Sequence, residues 1–308
     1  MDRVRKLTGA QEWNWQEGEP VTIAVLDSGM AAHADLEGKG IAFRDFVNGN
    51  GQFYDDNGHG THICGILAGS GRLSGGRFRG MAPQSRLVVG KVLDRRGEGS
   101  TEQLLAGLQW IRRIKETFRI RLLNISIGIG DLQNEKKEEL IREEIERLLD
   151  NGIAVFCAAG NKGPENNSLS SVGRSMRVIT VGCHDGGIYE NRRGCERYSG
   201  RGDYKSPVRK PDLIAPGTDV ISCNAHWTPR SYKLPYLPKS GTSMSTAVVC
   251  GAAALLLQRD PGLSTEGLRN RLLFDARDLG EPWNLQGWGM VALKADGDQK
   301  FDLRTLAL

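Results

Sequence analysis

The 308-residue chain has no strong excess of charge of either sign: 41 basic residues against 37 acidic ones leave a formal net charge of +4. Over this length, that balance excludes the footprint of a protein built to bind nucleic acid or an anionic membrane surface. Long hydrophobic runs are also missing. The longest, Ala247 to Leu257, falls short of the about 20 apolar residues that a membrane-spanning helix takes. Close cysteine pairs are absent too. Cys64, Cys157, Cys183, Cys195, Cys223 and Cys250 form no Cys-x-x-Cys, and in a chain of this size their even number does not announce a disulfide framework. Several stand in apolar strings, such as Val155-Phe156-Cys157-Ala158 and Val248-Val249-Cys250-Gly251, where buried free thiols are expected. The start, Met1-Asp2-Arg3-Val4-Arg5-Lys6, leads into Leu7-Thr8-Gly9-Ala10 without the apolar stretch of a secretory signal. Both features point to a reducing, cytoplasmic setting, although removal of an earlier leader would leave secretion open.

What is present is the composition of an ordinary soluble globular protein, 39% hydrophobic and 25% charged. Five short apolar runs read as buried strands: Val21 to Leu26, Arg86 to Leu93, Leu122 to Ile127, Ile153 to Ala158 and Val178 to Val181. Between them lie segments of helical period. Leu104, Leu105, Leu108, Ile111 and Ile114 share one face of Thr101 to Phe118. Leu140, Ile141, Ile145, Leu148 and Leu149 do so in Asn134 to Asp150, with Asn151-Gly152 as the stop. The charge run Glu135 to Glu139 is then the solvated face of that helix. Alternation of wholly apolar strands with helices implies an α/β fold, a mostly parallel central sheet with helices on both faces. Such sheets bind ligands beyond the carboxyl ends of their strands. No repeat, low-complexity stretch or linker interrupts the chain. Residues 1–308 are read as one domain with a core over roughly 20–290 and a short C-terminal tail.

Taken singly, the polar motifs have plain explanations. Asp27-Ser28-Gly29 suits a turn, Asn57-Gly58-His59-Gly60-Thr61-His62 suggests zinc, and Gly241-Thr242-Ser243-Met244 suits a helix N-cap. Zinc is poorly served, because only Cys64 stands at ligand spacing beside the two histidines. Gly97-Glu98-Gly99 lacks the third glycine of a phosphate loop. Taken together, the motifs place an Asp, a His, an Asn and a Ser at strand ends or helix starts. Acyl transfer needs these four: an orienting acid, a base, an oxyanion donor and a nucleophile. The chain order Asp27, His59, Ser243 is that of subtilisin, and no Gly-x-Ser-x-Gly surrounds Ser243 as it would in an α/β-hydrolase.

The strings Ile23-Ala24-Val25-Leu26-Asp27-Ser28-Gly29, Asn57-Gly58-His59-Gly60-Thr61-His62, Ala158-Ala159-Gly160-Asn161 and Gly241-Thr242-Ser243-Met244 resemble the four signature blocks of subtilisin-like serine proteases. Arg79 to Pro83, Lys210 to Gly217 and Gly287-Trp288-Gly289 resemble further family segments. Among members, the chain looks most similar to the intracellular alkaline subtilisins of bacteria. The resemblance implies a serine endopeptidase with protein or peptide substrates and no cofactor in the chemistry. It implies that Asp27, His59 and Ser243 form the triad, and that the Asn161 side chain and the Ser243 N–H receive the oxyanion. It further implies that Gly97, Gly99, Ser126, Ile127 and Gly128 border an extended substrate. Ala158, Gly160, Lys162 and Gly173 would line the pocket for the residue before the cleaved bond. His62 would be a satisfied core histidine.

Two departures from the family pattern stand out. Ala247 occupies the place of a proline four residues after the nucleophile, which permits a more regular first helical turn and bears on the partition between hydrolysis and transfer to other amines. Asp35 matches one ligand of the family's calcium loop, but Ser70 to Arg77 offers no carboxylate or Asn. No metal is expected there, while a weaker structural calcium elsewhere stays open. Lys162 stands where many relatives carry an acidic residue, with Arg174 beside the pocket floor, so large apolar residues are expected before the cleaved bond and Lys or Arg disfavoured. A catalytically dead binding relative and an esterase or ligase are the competing classes. The oligomeric state is not legible in the sequence.

Overall fold

In a computed structural model, which describes residues 1–13, 21–127, 135–187 and 194–294, the apolar runs become neighbours in one sheet. Its strands are β1 (Thr22–Asp27), β2 (Gly40–Asp45), β3 (Arg86–Lys91), β4 (Ile120–Ile125), β5 (Ala154–Ala158), β6 (Ile179–Cys183) and β7 (Leu213–Ala215). They lie in the order β2-β3-β1-β4-β5-β6-β7, and each pair is parallel. A separate antiparallel pair joins β8 (Val220–Cys223) to β9 (Tyr236–Lys239). The helices are α1 (Asp2–Leu7), α2 (His59–Ala68), α3 (Thr101–Phe118), α4 (Glu135–Asp150), α5 (Thr242–Arg259), α6 (Thr265–Asp275) and α7 (Trp283–Gln286).

Strand β1 shows how the sheet is covered. Successive side chains of a strand point to opposite faces. Ile23 and Val25 pack into one apolar cluster with Ile63 and Leu67 of α2 and Val248 and Leu255 of α5. Ala24 and Leu26 pack into another with Leu108 and Ile111 of α3 and Ile145 and Leu148 of α4. Burial on both faces explains why these strands are apolar throughout. Helix α5 is buried from Met244 through Leu257, which explains an apolar run without amphipathic period. Helix α3 begins with a capping box: Ser100 Oγ accepts from Gln103 N, and Gln103 Oε1 accepts from Ser100 N.

The chain runs from β1 to β2 and β3 on one side, then crosses to β4 on the other. The carboxyl end of β1 is therefore the switch point, where neighbouring connections part and leave a crevice.

Four strands escaped the sequence reading. β2 is only half-buried along its length, β7 has three residues, and β8–β9 lies outside the main sheet. Leu140, expected on the buried face of α4, is exposed, and that face runs through Ile141, Ile145 and Leu148.

The expectation of six free thiols is corrected. Cys183 and Cys195 form a disulfide, while Cys64, Cys157, Cys223 and Cys250 are free and buried. The bonded residues lie twelve positions apart, so no local signal announces the bond. Their Cα atoms are 5.5 Å apart, inside the range a disulfide spans. Burial raises the thiol pKa of all four free cysteines, for Cys157 to about 12. A thiol count in denaturant without reductant should therefore give four, rising to six once reductant is added. A count of six without reductant would reject the disulfide.

Candidate active site

Asp27 ends β1 with no exposed surface. A buried carboxylate has to be met by donors, and its Oδ1 accepts from Ser28 N at 2.7 Å and from His59 Nδ1 at 2.8 Å. Oδ2 has no partner among the described residues. The turn after Asp27 needs glycine: Gly29 has φ 121°, and a Cβ there would run into Tyr54 O. Met30 N then donates to Tyr54 O at 3.0 Å, which joins this turn to the segment leading into His59.

Asp55 holds that segment. Its Oδ1 accepts from Ser28 Oγ at 2.9 Å, Asn57 N at 3.1 Å and Gly58 N at 2.7 Å. Its Oδ2 accepts from Thr61 N at 2.8 Å and Thr61 Oγ1 at 2.7 Å. Burial works to raise the Asp55 pKa, but these donors prevail and hold it below the usual carboxylate range. Ser28 Oγ also accepts from Gly60 N at 2.9 Å. Acid turn and base loop are thus locked before the two catalytic candidates touch.

His59 opens α2. Its Nδ1 donates to Asp27, which directs Nε2 away, and 23% of the side chain remains exposed. Burial works to lower its pKa, but the charge of Asp27 and its hydrogen bond win and raise it above the ordinary value. His62, one turn on, has no exposed surface, and its Nε2 donates to Val220 O at 2.9 Å and Leu237 O at 3.2 Å. Burial lowers its pKa to about 3. It ties α2 to β8 and β9 as a neutral core histidine.

Ser243 is the second residue of α5. Its Oγ donates to Ser126 O at 2.7 Å, Ser126 Oγ returns a bond to Ser243 O at 3.0 Å, and Asn124 Nδ2 donates to Ser126 Oγ at 2.7 Å. The end of β4 and the start of α5 are therefore doubly clamped. The Ser243 hydroxyl is turned to Ser126 and not to His59. Asn161, just beyond β5, accepts on Oδ1 from Thr242 N at 3.1 Å and Thr242 Oγ1 at 3.0 Å. Fixing the carbonyl end leaves the amide N–H₂ as the outward donor beside Ser243. Helix α5 runs unbroken through Ala247.

Segments following β3, β4 and β5 border the crevice. Gly99 permits close approach, since a Cβ there would run into Val92 O; Gly97 has φ 80°. Ser126, Ile127 and Ala158 are buried, whereas Gly128 lies outside the described residues. A side chain at Gly173 would meet Ser170 Oγ at 2.8 Å and Thr180 Cγ2 at 3.0 Å, so only glycine leaves that space open. Lys162 is exposed. Arg174, next to Gly173 in the chain, is exposed and lines a cavity of about 450 Å³ with Glu138, Glu139 and Arg142 of α4.

Among the described residues, two clusters bring potential metal-ligand atoms together. In His33, Asp35 and Cys223, His33 Nε2 donates to Pro235 O and Nδ1 accepts from Asp35 N. Asp35 accepts from Gly71 N at 3.1 Å, Leu73 N at 3.1 Å and Tyr236 O–H at 2.7 Å. In the second, Cys183 and Cys195 are bonded to each other beside Asp185.

The subtilase family, Peptidase S8, matches residues 18–289. Serine protease AprX of Bacillus subtilis is 38% identical over 293 residues, covering 89% of this chain and 65% of that protein. Subtilisin Savinase of Lederbergia lenta is 33% identical, covering 90% of this chain and 91% of its own length. An intracellular serine protease of Paenibacillus polymyxa is 30% identical, covering 95% and 85%. The chain thus spans just under two thirds of the AprX relative. Among solved structures, Sphericase superposes with a TM-score of 0.80 at 24% identity, covering 94% of this chain and 97% of that one, a likeness of fold. A cold-adapted subtilisin-like serine proteinase gives 0.70 at 27% identity, covering 92% and 93%. The fold is that of a subtilisin-like protein, and the chain belongs to the subtilase family.

The sequence reading missed Ser28, Asp55, Asn124 and Thr242. Only Asp55 left a local trace, as the head of the turn-forming run Asp55-Asp56-Asn57-Gly58. An NMR titration should place the His59 midpoint above the ordinary 6.5, and Asp27→Asn should bring it down by removing the charge that raises it. A wild-type midpoint below that value would contradict the Asp27–His59 pairing.

Proposed function

We propose that the chain is a serine endopeptidase acting on proteins through an acyl-enzyme on Ser243. The observation that supports this most is the 2.8 Å bond from His59 Nδ1 to a buried Asp27. A serine at the start of α5, whose neighbour Thr242 is bonded to Asn161, supplies the remaining members of the set. His59 Nε2 takes the Ser243 proton as Oγ attacks the scissile carbonyl, and later gives it to the leaving amine. Asp27 holds the imidazole and stabilises its charged form. The Asn161 amide and the Ser243 N–H, aided by the N-terminus of α5, stabilise the oxyanion. Since the base works only when neutral, kcat/KM rises with pH through the His59 midpoint. Extended peptide would lie as an added strand between 97–99 and 126–128.

Ser243→Ala should lower turnover by the factor that loss of the nucleophile costs in subtilisin, about 10⁶. Asn161→Ala should lower it by about 10²–10³, as loss of the oxyanion Asn does there. Casein cleavage by Ser243→Ala near the wild-type rate would end this reading.

The pocket reading favours large apolar residues before the cleaved bond. With Arg174 turned to the cavity under α4, Lys162 alone carries the expected bias against Lys and Arg. Lys162→Glu should raise cleavage after Lys and Arg on a peptide library, more at low salt than at high. Equal profiles for the two proteins would sink the idea.

We also propose that no calcium is held tightly at the 70–77 loop. Gly71 N and Leu73 N of this loop and the Tyr236 hydroxyl point at Asp35, occupying acceptor sites that a cation would need. Chelator should leave the melting temperature unchanged, and a drop of several degrees would overturn this. A cytoplasmic setting is the reading that an intracellular relative supports, while the Cys183–Cys195 bond is of a kind rare in reducing compartments and stands against it.

A further inference from the structure

Lys91 ends β3 and is the register partner of Asp27 across the sheet. Its side chain has no exposed surface. An ammonium so placed is tolerable only if its three protons are used. They are: Nζ donates to Ser28 O at 2.8 Å, Leu93 O at 2.7 Å and Asp56 Oδ1 at 2.6 Å. The ring of Tyr54 lies 5.1 Å from the same nitrogen, close enough for a cation–π contact.

The three acceptors belong to three segments that converge on the site. Ser28 follows the acid Asp27. Asp56 lies in the loop that delivers His59. Leu93 opens the loop carrying Gly97 and Gly99, which borders the proposed substrate strand. Other contacts join these segments in pairs: Ser28 Oγ to Asp55, and Asn57 Nδ2 to Arg95 O at 3.2 Å. Lys91 reaches all three. A neutral side chain of the same length would leave two buried carbonyls without this donor and Asp56 without its counter-charge, loosening the three segments while the bonds of Asp55 and of Asp27 O to Val92 N and Leu93 N remain.

We propose that Lys91 is a positioning residue of the reaction: by holding Ser28 O, Asp56 and Leu93 O, it sets the Asp27–His59 pair relative to the substrate-binding loop. This rests on the endopeptidase reading. Lys91 touches no reacting atom, so its effect is carried by geometry.

The test compares wild type, Ser243→Ala, Lys91→Met and Asp56→Asn on a peptide anilide, with melting temperature and the far-downfield proton resonance of the His59–Asp27 hydrogen bond as companion readouts. In folded Lys91→Met, kcat should fall about 10–100-fold, the scale on which small displacements of reacting groups act. KM should change less than kcat, because the pocket residues 158–173 are untouched while the 97–99 border is displaced, and the downfield resonance should shift or broaden. Asp56→Asn keeps the two carbonyl bonds and loses the charge at a partly exposed position; kcat should fall less, again with KM changing less than kcat. Wild-type kcat and an unchanged resonance in folded Lys91→Met would overturn the proposal. Should Lys91→Met fail to fold, Asp56→Asn decides it: a kcat that falls by more than KM changes supports the proposal and an unchanged kcat overturns it. Absence of Ser243-dependent cleavage in the wild type would instead sink the endopeptidase reading, independently of Lys91.

Discussion

A carboxylate without exposed surface at the carboxyl end of the central strand constrains everything near it. Left unpaired, Asp27 would protonate or destabilise the sheet. Its own turn supplies one donor and His59 the other. Meeting that demand fixes the first residue of α2, and α2 can start there only because Asp55 gathers the loose N–H groups of the approaching loop. The same bond that makes Asp27 tolerable keeps His59 in one tautomer with Nε2 outward. Fold stability and proposed chemistry draw on one interaction.

A second constraint is the burial of α5. A helix apolar on every side has to lie in the interior, and its start then reaches the surface only at the crevice. There the mutual bonds between Ser126 and Ser243 hold it to the end of β4, and Thr242 holds it to Asn161. Ser243 and Asn161 are tied to the same helix turn, so displacement of one carries the other with it.

Two buried lysines serve as internal clamps. Lys91 spans the acid, base and substrate segments. Lys210 bonds Val178 O at 2.7 Å, Thr180 Oγ1 at 3.1 Å and Asp212 at 2.5 Å. Thr180 Oγ1 in turn donates to Gly173 O at 2.7 Å. Burial lowers the Lys210 pKa, and its pairing with Asp212 opposes that shift. In each case a long cationic side chain with three protons satisfies carbonyls that loops leave without strand partners. Neither lysine lies within a run whose local pattern announces this role.

The parallel α/β layout was legible from the sequence because strands buried on both faces must be apolar throughout and because α3 and α4 carry helical period and stop signals. The four polar motifs were legible because turns and helix starts restrict which residues stand there. Other features were decided by tertiary structure alone. These include the Cys183–Cys195 bond, the turning of Arg174 toward α4, the aim of the Ser243 hydroxyl at Ser126 and the triple reach of Lys91. They join residues 12, 63 or 117 positions apart or depend on which neighbour a side chain meets. Local propensity acts over a turn or a strand, whereas these contacts exist only once the sheet has brought distant strand ends to one edge.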